Sequence, residues 1–247
     1  MSGLLILSRR ALRAVMAFGD YFEAVEQAFR LHAEGRSASP PPLHIPAADG
    51  GFHVKAAALP LGRPYVAVKV NANFPDNRHR FALPTIQGAV LLLDGANGTP
   101  LALLDSIEIT IQRTGAATAI AARHLARANS ETATVCGCGE QGRIQLKALH
   151  HSLGLRRAFA WDADGDVAAG YARQMSAELG IEVVAVTDRA AATRASDAVL
   201  TCTTARQPFL GLEDVRPGTF IAAIGADNPE KSEIAPALMA RATVVAD

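Results

Sequence analysis

The stretch ATVCGCGEQGRIQLKAL, residues 133–149, decides the fold of this 247-residue chain. It begins with a short apolar run of β type, continues with three glycines at the spacing G-x-G-x-x-G, and ends in a helical pattern. Strand, glycine turn and helix in this order are the fingerprint of a dinucleotide-binding βα unit. Gly137 permits a tight turn, Gly139 lets the backbone approach a pyrophosphate, and Gly142 lets the helix pack closely on the strand.

The residue after the next predicted strand indicates which dinucleotide is bound. Residues 158–161 form that strand, and Asp162 follows them, about 20 positions after the last glycine. An acid there accepts hydrogen bonds from the ribose hydroxyls and repels a 2′-phosphate, so NAD is favoured over NADP. The helix start, with Glu140 and Gln141, adds N–H groups that suit phosphates. The alternative is a glycine-rich turn without a ligand.

Composition narrows the class of protein. Hydrophobic residues make up 49% and charged residues 19%, which is typical of a globular protein with a sizeable core. Lys+Arg and Asp+Glu are both 24, so nothing indicates a nucleic-acid or membrane-surface partner. The apolar run at residues 4–7 is too short for a signal peptide or a membrane span, and we expect a cytoplasmic protein. Cys136, Cys138 and Cys202 lack metal-ligand spacing, so no metal is expected, and we interpret them as buried small hydrophobes.

Residues 1–112 are predicted to form an α+β domain with a mostly antiparallel sheet. Two helical patterns come first, and a break rich in proline follows them. A long helix over 107–128, rich in alanine, joins this domain to the next. The strand patterns of the domain cover residues 51–59, 65–70, 87–93 and 100–104.

Residues 113–247 are predicted to form a Rossmann-type, doubly wound parallel sheet, because strand and helix patterns alternate from residue 133. Asp166 is predicted to cap one of the helices. Ligands bind beyond the carboxyl ends of such strands, which places Thr203 and Thr204 on the nicotinamide side. Asp227 either projects into the cleft or caps a short helix. The predicted strands are 133–136, 157–161, 181–186, 198–202, 219–224 and 243–246.

Cationic residues of the first domain are candidates for binding a substrate carboxylate. Lys69 lies within an apolar strand, where a lysine is costly unless it is paired. Its partner is either a substrate carboxylate or a structural one, and the planar fork of Arg113 could grip the same group. Lys55 and His53 alternate along another strand and share one face, which a solvated surface explains equally well.

Four stretches of the chain carry a resemblance to a known family. They are VKVNANFP (68–75), GAVLLLDGANGTPLALLDSIEITIQRTGAATAIAARHLA (88–126), VCGCGEQG (135–142) and AAIGADNPEKSEI (222–234). In this order they resemble the ornithine cyclodeaminase/mu-crystallin family. The resemblance covers nearly the whole chain after about residue 40 and implies a dimer-forming N-terminal domain plus a Rossmann domain. Members include ornithine cyclodeaminase, ketimine and Δ1-pyrroline-2-carboxylate reductases, an alanine dehydrogenase type, and mu-crystallin, which binds NADPH and thyroid hormone.

The resemblance assigns roles residue by residue. Lys69 and Arg113 correspond to cations that hold the substrate carboxylate, and Thr85 to a threonine near the nicotinamide and the substrate. Asp227 corresponds to the acidic catalytic residue, so Asp227 and Lys69 are the expected catalytic groups. The glycine turn and Asp162 correspond to the NAD site.

Two departures from the family pattern bear on the substrate. Many members carry an arginine in a Pro-x-Arg stretch, but residues 40–44 read PPPLH, so Lys55 or His44 would have to replace it. Family chains usually continue past the position of Asp247, so this form is either truncated or has no such tail.

Three functions follow from the resemblance. The leading hypothesis is an NAD-dependent enzyme that acts on a small α-amino or α-imino acid and converts L-ornithine, or a close relative, to L-proline and ammonia. One alternative is a ketimine or Δ1-pyrroline-2-carboxylate reductase or an alanine dehydrogenase type, and another is a non-catalytic ligand-binding protein like mu-crystallin. A homodimer is expected in each case.

Overall fold

The computed structural model describes residues 3–226 and 229–246. The chain divides into two compact units, Met1–Ala116 and Ala117–Asp247. The division falls within the helix Ser106–Leu125, which matches the long helix predicted over 107–128. The predicted domain boundary between residues 112 and 113 lies in the same helix.

The first unit contains a six-stranded sheet with the strand order β1-β6-β5-β4-β3-β2. All pairs are antiparallel except β1–β6, which is parallel. The mostly antiparallel sheet predicted from the sequence is therefore confirmed. Its elements are β1 (Leu5–Leu7), α1 (Arg9–Val15), α2 (Phe18–Ala33), β2 (Leu43–Ala47), β3 (Gly50–Leu61), β4 (Arg63–Asn73), α3 (Asn77–Phe81), β5 (Ile86–Asp94), β6 (Pro100–Asp105) and α4 (Ser106–Leu125).

The two faces of this sheet differ in polarity and cover. One face packs against helices, and it buries Val90 and Ala102 and carries Lys69, which contacts α4 through Thr110. The opposite face, here termed the open face, leaves large apolar side chains exposed, which is unusual for a sheet with no partner. The strand registers place on it the exposed residues Ile6, Leu43, Ile45, Val70 and Leu103.

The second unit contains a five-stranded parallel sheet with the order β11-β10-β7-β8-β9. This is the strand order of a Rossmann sheet, and β7 lies at its topological switch point. The predicted doubly wound fold is therefore confirmed. Its elements are β7 (Thr132–Cys136), α5 (Glu140–Leu153), β8 (Arg157–Trp161), α6 (Gly165–Leu179), β9 (Glu182–Ala185), α7 (Arg189–Ala195), β10 (Ala198–Thr201), a 3-10 turn (Leu212–Asp214), β11 (Phe220–Ala223) and α8 (Pro236–Met239).

The core of the second unit lies between the central strands and helices α5 and α6. Val135 of β7 and Leu200 of β10 are fully buried, as expected for parallel strands covered on both faces. Leu146 of α5 and Met175 of α6 are fully buried in the same cluster. The hydroxyl of buried Tyr171 donates to the carbonyl oxygen of Gly142 at 2.8 Å, which joins α6 to the start of α5.

Two predictions about this unit are wrong. Residues 243–246 lie outside any strand, so the described part of the sheet has five strands rather than six. Asp164, and not Asp166, caps α6, because its carboxylate accepts from the backbone N–H groups of Asp166 and Val167. Among residues 3–226 and 229–246, every helix is too short or too polar to cross a membrane.

Candidate functional site

The glycine turn between β7 and α5 has the geometry that its spacing predicts. Gly137 has φ +98°, and a Cβ there would lie 2.7 Å from the carbonyl oxygen of Cys202. A Cβ on Gly142 would overlap the carbonyl oxygen of Gly137, so both positions need glycine for packing. Around Gly139, by contrast, a Cβ would meet no atom within 4 Å. The middle glycine therefore borders open space that a ligand could approach.

The start of α5 suits an anion. Gly139 is the N-cap residue, and no side chain caps the helix there. The carboxylate of Glu140 pairs with Arg143 at 3.2 Å instead. Gln141 Oε1 and Arg143 Nε are buried without a hydrogen-bond partner among the described residues. Open N–H groups, the helix dipole and the Nε–H of Arg143 fit the phosphates of a dinucleotide, whereas Gln141 Oε1 is an acceptor and needs a donor such as a hydroxyl.

Asp162, which follows β8, is bonded to the glycine turn. Its Oδ2 accepts from the backbone N–H of Cys138 at 2.8 Å, and its Oδ1 accepts from that of Asp164 at 3.1 Å. Each carboxylate oxygen can accept a second hydrogen bond, so the group can still bind hydroxyls. The sequence predicts the ribose contact but gives no sign of the bond to the turn.

A cleft of about 480 Å³ opens at the carboxyl edge of the second unit's sheet. Its volume lies within the usual range for small-molecule sites. The cleft brings together predicted cofactor residues from three separate turns, since Gly137, Gly139, Asp162, Thr203 and Thr204 all line it. The other lining residues are Trp161, Ala163, Cys202, Ala205, Gln207 and Phe209.

A cluster of cations lies in the first unit. Lys55 and Lys69 are directly opposite each other on β3 and β4, and Lys69 Nζ donates to Thr110 Oγ1 at 3.4 Å. Burial, the guanidinium of Arg113 and the ammonium of Lys55 lower the pKa of Lys69 from 10.5 to about 8. Among the described residues, no carboxylate forms an ion pair with Lys69. An anionic ligand bound to this cluster would therefore reduce the repulsion among its positive charges.

The remaining predicted site residues differ in their surroundings. His53 is exposed and pairs across strands with His44, with 4.7 Å between the ring centroids. Thr85 is half-buried, and its carbonyl oxygen accepts from the backbone N–H of Phe74 at 2.9 Å. Asp227 lies outside the described residues. No group of three or more metal-ligating side chains occurs in the described part of the chain.

Similarity to known proteins identifies the family of this chain. A model of the ornithine cyclodeaminase/mu-crystallin family matches residues 5–247. The chain belongs to this family. It is 38% identical over 251 residues to a putative dehydrogenase of Rhizobium meliloti, covering 100% of this chain and 76% of the relative.

Two solved structures of this family are similar to the chain over most of its length. An archaeal alanine dehydrogenase dimer with bound NAD is 34% identical with a TM-score of 0.88, and 94% of this chain and 70% of that chain are covered. The Δ1-pyrroline-2-carboxylate reductase of Thermococcus litoralis, in complex with NADH and L-proline, is 32% identical with a TM-score of 0.89. There the coverage is 95% of this chain and 73% of the reductase.

Sequence reasoning missed Glu233 in this family member. Glu233 is 1% exposed, and its carboxylate accepts hydrogen bonds from Thr201, Thr203 and Gly225, of which Thr203 lines the cleft. The surrounding string, Lys231-Ser232-Glu233, looks like a polar surface segment. An acid placed directly before an apolar residue, Ile234, is the only local sign of burial, and it is a weak one.

The cysteines around the cleft are free and do not suit nucleophilic chemistry. Burial raises the pKa of Cys136 and of Cys138 to about 12, and burial raises that of Cys202 further still. A thiol with so high a pKa stays protonated at neutral pH. The interpretation of these residues as buried small hydrophobes is confirmed for Cys136 and Cys138, and Cys202 is partly buried.

Proposed function

We propose that this protein is an NAD-dependent enzyme that acts at the Cα of a small α-amino or α-imino acid. The observation that carries the proposal is the cleft of the second unit, where the glycine turn, Asp162 and Thr203 line one space. NAD, when bound, supplies or accepts a hydride. The relatives that are solved with NAD or NADH support the same cofactor for this chain.

The preference for NAD over NADP rests on Asp162. Its carboxylate borders the cleft and keeps accepting capacity after its two backbone bonds. Ribose hydroxyls can donate to it, whereas a 2′-phosphate would be repelled by its negative charge. The Nε–H of Arg143 and the backbone N–H groups at the start of α5 would hold the pyrophosphate.

The substrate class rests on the cations of the first unit. A carboxylate bound by Lys69 and Arg113 would neutralise like charges that otherwise repel one another. Lys55, opposite Lys69, stands where a further contact could replace the missing Pro-x-Arg arginine. Binding the carboxylate fixes the orientation of Cα, which is the main contribution that the protein makes to hydride transfer.

The reaction divides into two candidates. A dehydrogenase or imine reductase changes the amount of NADH, and the names of the alanine dehydrogenase and the pyrroline-carboxylate reductase favour it. A cyclodeaminase leaves NADH unchanged and releases ammonia from a diamino acid. The family motif around Asp227 favours that candidate, with Asp227 exchanging protons at the substrate amine.

A substrate panel tests the proposal. The enzyme is incubated with NAD⁺ and alanine, ornithine, lysine or proline, and with NADH and Δ1-pyrroline-2-carboxylate, while NADH absorbance and ammonia are followed. One substrate is expected to react, and Lys69→Ala is expected to lose the reaction. Lys147→Ala, which removes a surface lysine paired with Glu178, is the matched control and should stay active. NAD binding without turnover of any substrate would leave a ligand-binding protein of the mu-crystallin kind.

We further propose that the open face of the first unit forms a homodimer. Its exposed apolar side chains include Val70 and Leu103, and the archaeal alanine dehydrogenase is described as a dimer. Val70→Glu should convert a dimer to a monomer in light scattering. Val15→Glu, at a more exposed position on α1, should leave the dimer intact, and a monomeric wild type would refute the proposal.

A further inference from the structure

Glu233 carries a carboxylate that is buried and fully hydrogen-bonded. Its Oε1 accepts from the backbone N–H of Thr203 at 2.7 Å and from the hydroxyl of Thr203 at 2.6 Å. Its Oε2 accepts from the hydroxyl of Thr201 at 2.7 Å and from the backbone N–H of Gly225 at 3.0 Å. Among the described residues, no lysine or arginine forms an ion pair with it. Hydroxyl and amide dipoles therefore balance its charge.

These four bonds join two turns at the carboxyl edge of the sheet. Thr201 is the last residue of β10 and Thr203 lies in the turn that follows it, whereas Gly225 lies in the turn after β11. The turns are packed tightly, since a Cβ on Gly225 would lie 2.5 Å from Glu233 Oε1 and 2.6 Å from the nitrogen of Thr203. A shift of either turn would therefore break bonds to the same carboxylate.

The bonding continues into the cleft. The hydroxyl of Thr203 donates to Glu233 and accepts from the backbone N–H of Ala205 at 3.2 Å. Thr203, Thr204 and Ala205 all line the cleft. The orientation of this wall is thus set from behind by Glu233, which does not line the cleft itself.

An amide cannot replace this carboxylate. The two backbone donors, from Thr203 and Gly225, point at different oxygens of Glu233, and a backbone N–H cannot reverse its direction. Glutamine has one oxygen and one NH₂ group, so either orientation places a donor against a donor. The hydroxyls of Thr201 and Thr203 can rotate, but the clash at one backbone N–H remains.

We propose that Glu233 is a positioning residue that holds the wall of Thr203, Thr204 and Ala205 in the conformation that binds the nicotinamide half of NAD. This inference rests on the proposed binding of NAD in the cleft. Glu233 acts through Thr203, so the two residues should be energetically coupled in NAD binding. A residue that only stabilised the fold would change the unfolding temperature without such coupling.

The test measures the dissociation constant for NAD with the full chain. Trp161 is the single tryptophan and lines the cleft, so its fluorescence reports binding directly. Glu233→Gln should weaken NAD binding by roughly tenfold to a hundredfold, because small misplacements in a site have effects of that size. Thr203→Val should weaken it by a smaller factor, and the double variant should bind no more weakly than Glu233→Gln alone.

Asp197→Asn provides the matched control. The carboxylate of Asp197 also joins chain segments, since it accepts from Thr132 Oγ1 at 2.8 Å and from two backbone N–H groups, but at the amino end of the sheet. It lies away from the cleft residues and pairs with Arg127 at 3.1 Å. Its substitution should lower the unfolding temperature and leave the NAD dissociation constant within about twofold.

The possible results separate the inference about Glu233 from the proposed binding of NAD. A wild type that does not bind NAD overturns both this inference and the proposed function. If the wild type binds NAD and Glu233→Gln binds it equally well, only the inference fails. Additive effects of the two substitutions would also refute it. Should Glu233→Gln fail to fold, Thr203→Val alone decides, since an unchanged dissociation constant there overturns the inference.

Discussion

Lys69 and Glu233 are charged groups held largely away from solvent, one in each unit, and they differ in their partners. Glu233 accepts four hydrogen bonds, whereas the one described hydrogen bond of Lys69 is to Thr110, and two further cations lie near it. A charge with all its partners in place fixes the structure around it. A charge among like charges raises the free energy of the folded state until an anion binds. The comparison separates the positioning group that we propose, Glu233, from the ligand-binding group that we propose, Lys69.

The largest expected effect on stability comes from removing the hydrogen-bonded carboxylate of Glu233. Glu233→Ala leaves two backbone N–H groups and two hydroxyls without an acceptor, and it should lower the free energy of unfolding by roughly 3 kcal/mol. Thermal unfolding should shift down by about 6–12 °C. Glu230→Ala, at an exposed position nearby, should change the free energy by less than about 0.5 kcal/mol. Equal effects of the two substitutions would contradict the claim that the hydrogen bonds of Glu233 stabilise the fold.

Asp162 lies between the two extremes, because its carboxylate has two backbone donors and spare capacity. Asp162→Ala should weaken NAD binding and reduce the preference for NAD over NADP by about tenfold or more. Asp162→Asn keeps an oxygen for the N–H of Cys138, although its NH₂ group then faces the N–H of Asp164. It loses the charge, so it should relax the preference with a smaller loss of NAD affinity than Asp162→Ala. Titrations with both cofactors measure this, and unchanged ratios would remove the assignment.

The pH dependence of substrate binding should reveal the lowered pKa of Lys69. Because the pKa of Lys69 is lowered to about 8, the affinity for a carboxylate substrate should fall about tenfold between pH 7 and pH 9. An ordinary lysine would stay charged over that range. Lys55→Met removes one of the repelling charges and should move the midpoint to higher pH. A flat profile in calorimetric titrations of the wild type would argue against a role for Lys69.

The smallest expected effect has the opposite sign from that of Glu233→Ala. Lys69→Met removes a partly buried charge and should raise the free energy of unfolding by about 1 kcal/mol after allowance for solvent screening. The folded pKa of Lys69 lies below the unfolded one, so the advantage is full below about pH 8 and disappears toward pH 10.5. The same variant should lose substrate binding. Denaturant unfolding tests this, because the variant should be more stable than the wild type at pH 7 and should lose most of that advantage at pH 10.

The sequence predicts those parts of the fold that depend on local pattern. The Rossmann unit is identified by the glycine spacing, by the strand β7 before the glycines, and by Asp162 directly after β8. These features can be predicted because the turn itself needs the glycines. Lys69 stands out because a single cation interrupts an apolar strand. The false strand at 243–246 has the same apolar pattern as the true ones, and the pattern alone cannot show that no neighbouring strand pairs with it.

Glu233 could not be predicted because its role depends on contacts between distant residues. It lies about 30 positions after Thr203, and the parallel bridge between the adjacent Ile234 and Leu210 helps to bring it to that turn. The cap of α6 shows a smaller form of the same problem. The string Asp162-Ala-Asp164-Gly-Asp166 offers three acids, and only the backbone conformation decides which of them accepts the helix N–H groups.

The parallel strand β1 has a consequence for how the first unit is synthesised. Strands β2 to β5 each pair with the next strand along the chain, but Leu5 of β1 pairs with Ala102 of β6, roughly a hundred residues later. Closing so long a loop is slow compared with forming hairpins. On the ribosome β1 emerges before β6 and must therefore wait until nearly the whole unit has been translated, and its docking should be the last step in the maturation of that sheet.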